Sequence, residues 1–256
     1  MKTFFQFLQN GKKIMKQVQR SNFYLWWLFF LISCSPKDCL KSTGSIRKEF
    51  RAVPFFNKLY TYDNISIVLQ ESDSLFVEAG ENLLEKIILE VRGDSSLHIR
   101  NQNTCNFTRN YNTPVRVYVG VKNLFYIKWQ SFGNLESNGK IHFSHLQMDF
   151  TETNPKISLE VQSLGLYLFS NAGAEFSLKG KTDFFSFYHL GYGKVNASEM
   201  LSKNATIINE GQNHIWVRTS DTLKAEIRSS GNIILSQIPQ RQEVKITGTG
   251  KIVVQP

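Results

Sequence analysis

The chain has 256 residues, 41% hydrophobic and 20% charged, with a formal net charge of +9. This length and apolar content support one or two folded domains with a sizeable core and exclude disorder through the bulk of the chain. Lys2, Lys12, Lys13, Lys16 and Arg20 all fall in the first 33 residues, which contain no acid; without those five charges the balance drops from +9 to +4, too small to argue for a nucleic-acid partner.

The basic start runs into an unbroken apolar stretch, Phe23 to Ile32. A helix of that length is too short to span a bilayer core, so residues 1–33 read as a signal peptide. Leu31-Ile32-Ser33-Cys34 resembles the bacterial lipoprotein signal box. In that reading the Cys34 thiolate takes a diacylglycerol and cleavage leaves it as the lipidated amino terminus, so one partner is the membrane. Residues 34–50 are polar and lack apolar periodicity, as a tether would, and residues 51–256 are expected to fold. Cys39 and Cys105 make neither a disulfide framework nor a zinc spacing, and whether they pair is left open.

Val53 to Trp129 reads mainly as strands. Ile65, Val68, Leu75-Phe76-Val77, Val115 to Val119 and Leu124 to Ile127 lie in runs of β-branched and aromatic residues. The exception is Glu81 to Val91, where Leu83, Leu84, Ile87 and Ile88 recur at helical spacing behind Glu81 and predict a short helix.

From Ser131 to Val254 a small or turn-forming residue returns just ahead of an apolar one, which sets Leu135, Ile157, Phe176, Val195, Ile215, Ile233 and Ile252 about 18 to 22 residues apart. A second apolar column, Leu168, Phe187, Ile207, Ala225 and Val244, precedes the later marks by eight residues. Two columns in register predict strands stacked coil upon coil around one core, each corner needing either φ > 0 or close approach to the neighbouring coil. An antiparallel sandwich with evenly spaced turns is the alternative architecture.

Two stretches, Arg228-Ser-Ser-Gly-Asn-Ile-Ile-Leu-Ser-Gln-Ile-Pro-Gln and Val244-Lys-Ile-Thr-Gly-Thr-Gly-Lys-Ile, alternate such corners with short apolar strands. With Phe56-Asn-Lys-Leu, Glu81-Asn-Leu-Leu-Glu-Lys and Val115-Arg-Val-Tyr-Val they make residues 50–254 resemble the head GIN domain of auto-transporter adhesins, a family of Bacteroidota lipoproteins without an established activity. The Gly-Ile-Asn of the family name is here Asp63-Asn64-Ile65. The resemblance implies an all-β fold, a right-handed β-solenoid of roughly 19-residue coils with a β-rich amino-terminal part and one short helix.

No catalytic set stands out. The outward neighbours of the marked positions, Glu136, Ser158, Ser177, Asn196, Trp216, Ile234 and Val253, form no acidic column of the kind glycan cleavage uses. His142 and His145 are an odd distance apart, which in an alternating strand sends them to opposite faces and disfavours joint chelation, so they read as surface or corner histidines, and His98, His189 and His214 have no local partners that suggest catalysis. No metal or cofactor is expected. Just ahead of the marks lies a basic-leaning column, Asn134, Lys156, Glu175, Lys194, His214, Asn232 and Lys251. Its cations, with the aromatics Tyr188 and Trp216, are the candidate binding surface: Lys156, Tyr188, Lys194, His214, Trp216 and Lys251. The expected function is a non-catalytic binding or adhesion module on an outer-membrane lipoprotein, its partner a glycan or an envelope protein. The alternatives are a polysaccharide-processing enzyme on the same scaffold and a periplasmic scaffold or stress partner.

Overall fold

The computed structural model describes residues 43–103 and 114–255; the basic leader, Cys34, Cys39 and Cys105 lie outside them. In chain order the amino-terminal strands are β1 (Ile46–Phe50), β2 (Lys58–Thr61), β3 (Ile65–Gln70), β4 (Phe76–Gly80), β5 (Ile87–Val91), β6 (Ser96–Asn101), β7 (Val115–Gly120) and β8 (Tyr126–Trp129), with helix α1 (Glu81–Leu84) after β4. Five long strands follow: β9 (Leu135–Phe150), β10 (Lys156–Ser170), β11 (Glu175–His189), β12 (Val195–Asn209) and β13 (Ile215–Ile227). Shorter ones finish the stack: β14 (Ile233–Leu235), β15 (Arg241–Ile246) and β16 (Ile252–Val254).

From β9 onward every pairing is parallel, and the marked residues Leu135, Ile157, Phe176, Val195, Ile215, Ile233 and Ile252 are direct register partners through the sheet. The second column is equally continuous through Leu168, Phe187, Ile207, Ala225 and Val244. This is a β-solenoid, as expected, and it extends beyond the recognisable repeats. Ile67 and Val117 prolong the first column, and Met148, Ile127, Leu59 and Leu97 the second. The amino-terminal coils are not stacked in chain order, for β3 lies between β7 and β9, and β2 between β6 and β8.

Two local expectations need correction. The predicted helix over Glu81 to Val91 is confined to α1, and Ile87–Val91 is the strand β5, antiparallel to β6. Leu83 and Leu84 bury from the helix and Ile87 from the strand, so two elements meeting at the core mimic one helical stripe. The ordered sheet also starts inside the expected tether: β1 pairs antiparallel with β4, although all five of its side chains are exposed. Backbone hydrogen bonds hold it there, and they leave no trace in a hydropathy pattern.

The two kinds of corner differ. One is turned inside the long strands, where the register shifts and Gly180 takes φ +102. The other is the true break that carries the recurring glycines, none of which has a positive φ. There the constraint is proximity: a Cβ on Gly193 would lie 1.8 Å from the Ala174 carbonyl oxygen. Close approach, not φ, selects glycine at that corner.

Aromatic rings fill the centre. Phe176 meets Phe150 at 5.1 Å and Phe187 at 5.0 Å, both edge to face, and the Trp129 ring lies 6.1 Å from Phe150 while its Nε1–H donates to the Ser131 carbonyl. Each such ring contributes roughly 2–3 kcal/mol by burial, with about 1 kcal/mol more from each edge contact. Next to this ladder, His189 is fully buried with its ring 5.4 Å from Phe187, and neither ring nitrogen has a hydrogen-bond partner.

Candidate functional site

The expected surface residues separate into three groups. Lys156, Lys194, His214 and Lys251 share one column along the break corner, because each directly precedes a marked residue of the register. Several members of the column bond to the backbone of the next coil. Asn134 Oδ1 accepts from the Lys156 backbone N–H, His214 Nδ1 from that of Asn232, and Asn232 Oδ1 from that of Lys251. His214 is thereby tied to coil-to-coil bonding, with Trp216 edge to face against it at 5.8 Å.

Tyr188 lies across the corner, on the other run of its coil. Its hydroxyl donates to Glu210, which raises the phenol pKa, and Phe169 packs edge to face at 5.7 Å while the Arg228 guanidinium sits over the ring. The Arg228, Glu226, Glu210 and Lys245 side chains continue this surface as an ion-paired network in which Glu226 is held down at about 2 by Arg228 and Lys245. Tyr188 is thus a member of a self-satisfied ladder and does not join the lysines.

What does converge is Lys156 with Lys194. They stand two coils apart, about 10 Å along the axis, with Glu175 between them, and line an open groove of about 290 Å³. Lys251 belongs to the same stripe but stands about 14 Å beyond Lys194. Gly173 and Gly193 make the groove floor and Tyr192, 62% exposed, its centre. The Tyr192 ring lies so close over Gly173 that a Cβ there would meet its Cε2 at 2.4 Å. The phenol oxygen donates to Asn154 Oδ1 at 3.1 Å, the same oxygen accepts from the Gly173 backbone at 2.9 Å, and Asn213 Nδ2 donates to the Tyr192 carbonyl. These bonds fix the ring, and among the described residues neither lysine is engaged in an ion pair.

Tyr192, Asn154 and Asn213 were not among the candidates. The signal that could have found Tyr192 is local: an aromatic set between two corner glycines, Gly191-Tyr192-Gly193, where the backbone runs close against the neighbouring coil.

The histidines make no joint site. His142 and His145 are both exposed, because the strand turns its corner between them and breaks the alternation. His142 Nδ1 contacts Glu71 at 2.8 Å, whereas His145 stacks on Tyr167. His98 has partners after all: Ser96 Oγ at 3.0 Å from Nε2 and the Tyr62 hydroxyl at 3.1 Å from Nδ1. Since Ser96 donates its one hydroxyl hydrogen to Asp94 at 2.5 Å, it accepts from Nε2–H, and Nδ1 accepts from Tyr62. The order is Asp–Ser–His, not the Ser–His–Asp in which histidine can take the serine proton, and Ser96 is only 1% exposed.

No helix among the described residues is long and apolar enough to cross a membrane. A comparison with curated proteins finds no match. Among solved structures, a putative adhesin from Bacteroides fragilis superposes with a TM-score of 0.73 at 14% identity, over 84% of this chain and 100% of that one. A putative adhesin from Parabacteroides merdae gives 0.59 at 18% identity, over 83% and 98%. A protein from Parabacteroides distasonis described as a putative lipid binding protein gives 0.57 at 19% identity, over 84% and 99%. These likenesses establish a shared fold, and the family model "putative auto-transporter adhesin, head GIN domain" matches residues 55–239. With most of its length matched in this way, the chain belongs to the head GIN domain family of putative auto-transporter adhesins.

Proposed function

We propose that the protein is a cell-envelope lipoprotein, anchored through Cys34 to the outer membrane, whose solenoid is a non-catalytic binding and adhesion module for acidic glycans. The observation that carries this reading is the Tyr192 ring, held exposed between Lys156 and Lys194 over a glycine floor. Such a ring offers its apolar surface to the C–H face of a sugar, and two ammonium groups on one side of it meet carboxylate or sulfate substituents. Glu175 is the one carboxylate in the groove, where hydrolysis by the usual acid and base pair would need two.

Binding of the full chain to polygalacturonate, with neutral dextran as control, tests the ligand class. Replacing both Lys156 and Lys194 with Ala should weaken binding by about 100-fold, and Tyr192→Ala by about 10-fold. Equal affinity for both polymers, or variants that bind like the parent, would sink the acidic-glycan reading. New reducing ends or unsaturated products would turn the conclusion toward a polysaccharide-processing enzyme. Resistance to protease added to intact cells would favour a periplasmic scaffold.

The anchor is tested separately. Cys34→Ala should move the protein from the membrane to the soluble fraction and remove an acyl mass from its amino-terminal peptide. Unchanged partitioning with no lipid mass in the parent would dispose of the anchor.

A further inference from the structure

The two ends of the solenoid are finished differently. At the amino-terminal end α1 and the antiparallel strands β4 and β5 close over the core, and Leu83, Leu84 and Ile87 are at most 7% exposed. At the other end the last described coil leaves its inward residues uncovered. Val244, Ile246 and Val254 are inward by register, beneath them Ala225, Ile227 and Leu235 are 4% exposed or less, yet they themselves are 42%, 47% and 46% exposed. The outer edges of β15 and β16 have no strand partner among the described residues. An open edge beside exposed core residues is a template for another strand.

We propose that this end is the interface of a two-fold symmetric homodimer in which β15 of one copy pairs antiparallel with β15 of the other. The sequence of β15 selects a second copy as the occupant. A two-fold axis through Val244 sets Val244 against its equivalent and faces Gln242 with Ile246 on the inward side. On the outward side it sets Glu243 against Lys245 twice, once in each direction. Opposite charges directly across a strand pair stabilise it, and like charges do the reverse. Moving the axis by one residue to Glu243 would put Glu243 on Glu243 and Arg241 on Lys245, so the charge pattern admits one register and rejects its neighbour.

Within one copy, Lys245 reaches Glu226 at 2.7 Å and Lys224 reaches Glu243 at 3.0 Å, so the cross-strand pairs of the dimer would extend ion pairs that already run from β13 to β15. Because the amino-terminal end is capped by a helix and antiparallel strands, this surface has no complementary copy of itself there. The contact is isologous and closes as a pair instead of growing into a filament.

Sedimentation of the purified full chain over about 1 to 100 µM should show a monomer giving way to a dimer and nothing larger. Val244→Glu should raise the dissociation constant by roughly 30-fold or more, since it places two carboxylates on the axis. Glu243→Lys should weaken the dimer about 10-fold, and adding Lys245→Glu to it should restore the parent affinity, because the pairs are re-formed with their signs exchanged. Thermal unfolding of each variant separates loss of pairing from loss of fold; should Val244→Glu fail to fold, the charge exchange decides alone. A monomer at every concentration overturns the proposal, as does a dimer indifferent to these substitutions, an open-ended polymer, or a different protein's strand found on β15 in cells.

Discussion

Gly193→Ala should destabilise the domain by about 3 kcal/mol or more, a large effect for one added methyl group. Gly193 has no positive φ, so alanine meets no backbone penalty there; the cost is steric alone. The new Cβ would lie 1.8 Å from the carbonyl oxygen of Ala174 and 2.5 Å from its carbonyl carbon. These are backbone atoms of the preceding coil, and they can yield only by separating two coils that are bonded along the whole length of β11 and β12. Urea unfolding of the variant measures the loss. Gly93→Ala is the matched control, since its Cβ would meet nothing within 4 Å. Equal stability of Gly193→Ala and the parent would show that the corner is wider in solution than the stacking of β11 on β12 requires.

The second large effect is one of pH. His189 is buried beside Phe187, and that burial lowers its pKa from 6.5 to about 4. Between these values the unfolded chain binds a proton that the folded one does not. Stability should therefore be at its full value above pH 6.5 and fall as the pH drops toward 4, by up to about 3 kcal/mol from this group. His98 acts in the same direction, since burial and then Arg92 lower its pKa as well. Glu226 and Asp94 lose their stabilising charge only at lower pH, below their ordinary values near 4. The informative quantity is accordingly the difference between the parent and His189→Leu. The variant should keep nearly constant stability across the interval apart from the His98 contribution, and parallel curves would refute the assignment to His189.

The stacking itself was legible in the sequence because a solenoid repeats its constraint. Leu135 and Ile252 occupy the same inward column, so each coil restates which residues must be apolar, and the observed register joins the same residues that the spacing aligns. Where the chain does not repeat, legibility falls. Leu83 to Ile88 satisfied a helical period although a helix and a strand share it, and β1 is invisible to any argument from burial because nothing in it is buried. The groove was half legible. Lys156 and Lys194 could be placed on one stripe, but the role of Tyr192 depends on its ring reaching back across a coil to Asn154, a distance of 38 residues in sequence. His214 looked like a ligand-facing group and is engaged instead by the Asn232 backbone, an exchange that only the coil-to-coil geometry reveals.

The strand order at the amino-terminal end also bears on how the chain reaches its structure. From β10 onward each new coil docks on one already complete, so that part can grow in the direction of synthesis. The coil of β2 and β3 cannot be completed in that way, because its flanking strands β7, β8 and β9 are made long after it. Those contacts carry a high loop-closure cost and form late. A chain emerging amino end first must hold its earliest strands open until Leu135 and the residues after it are available. The first coil translated is sealed only when β9 is available, and until then the nascent protein remains a flexible thread for longer than an orderly stack of the same length would.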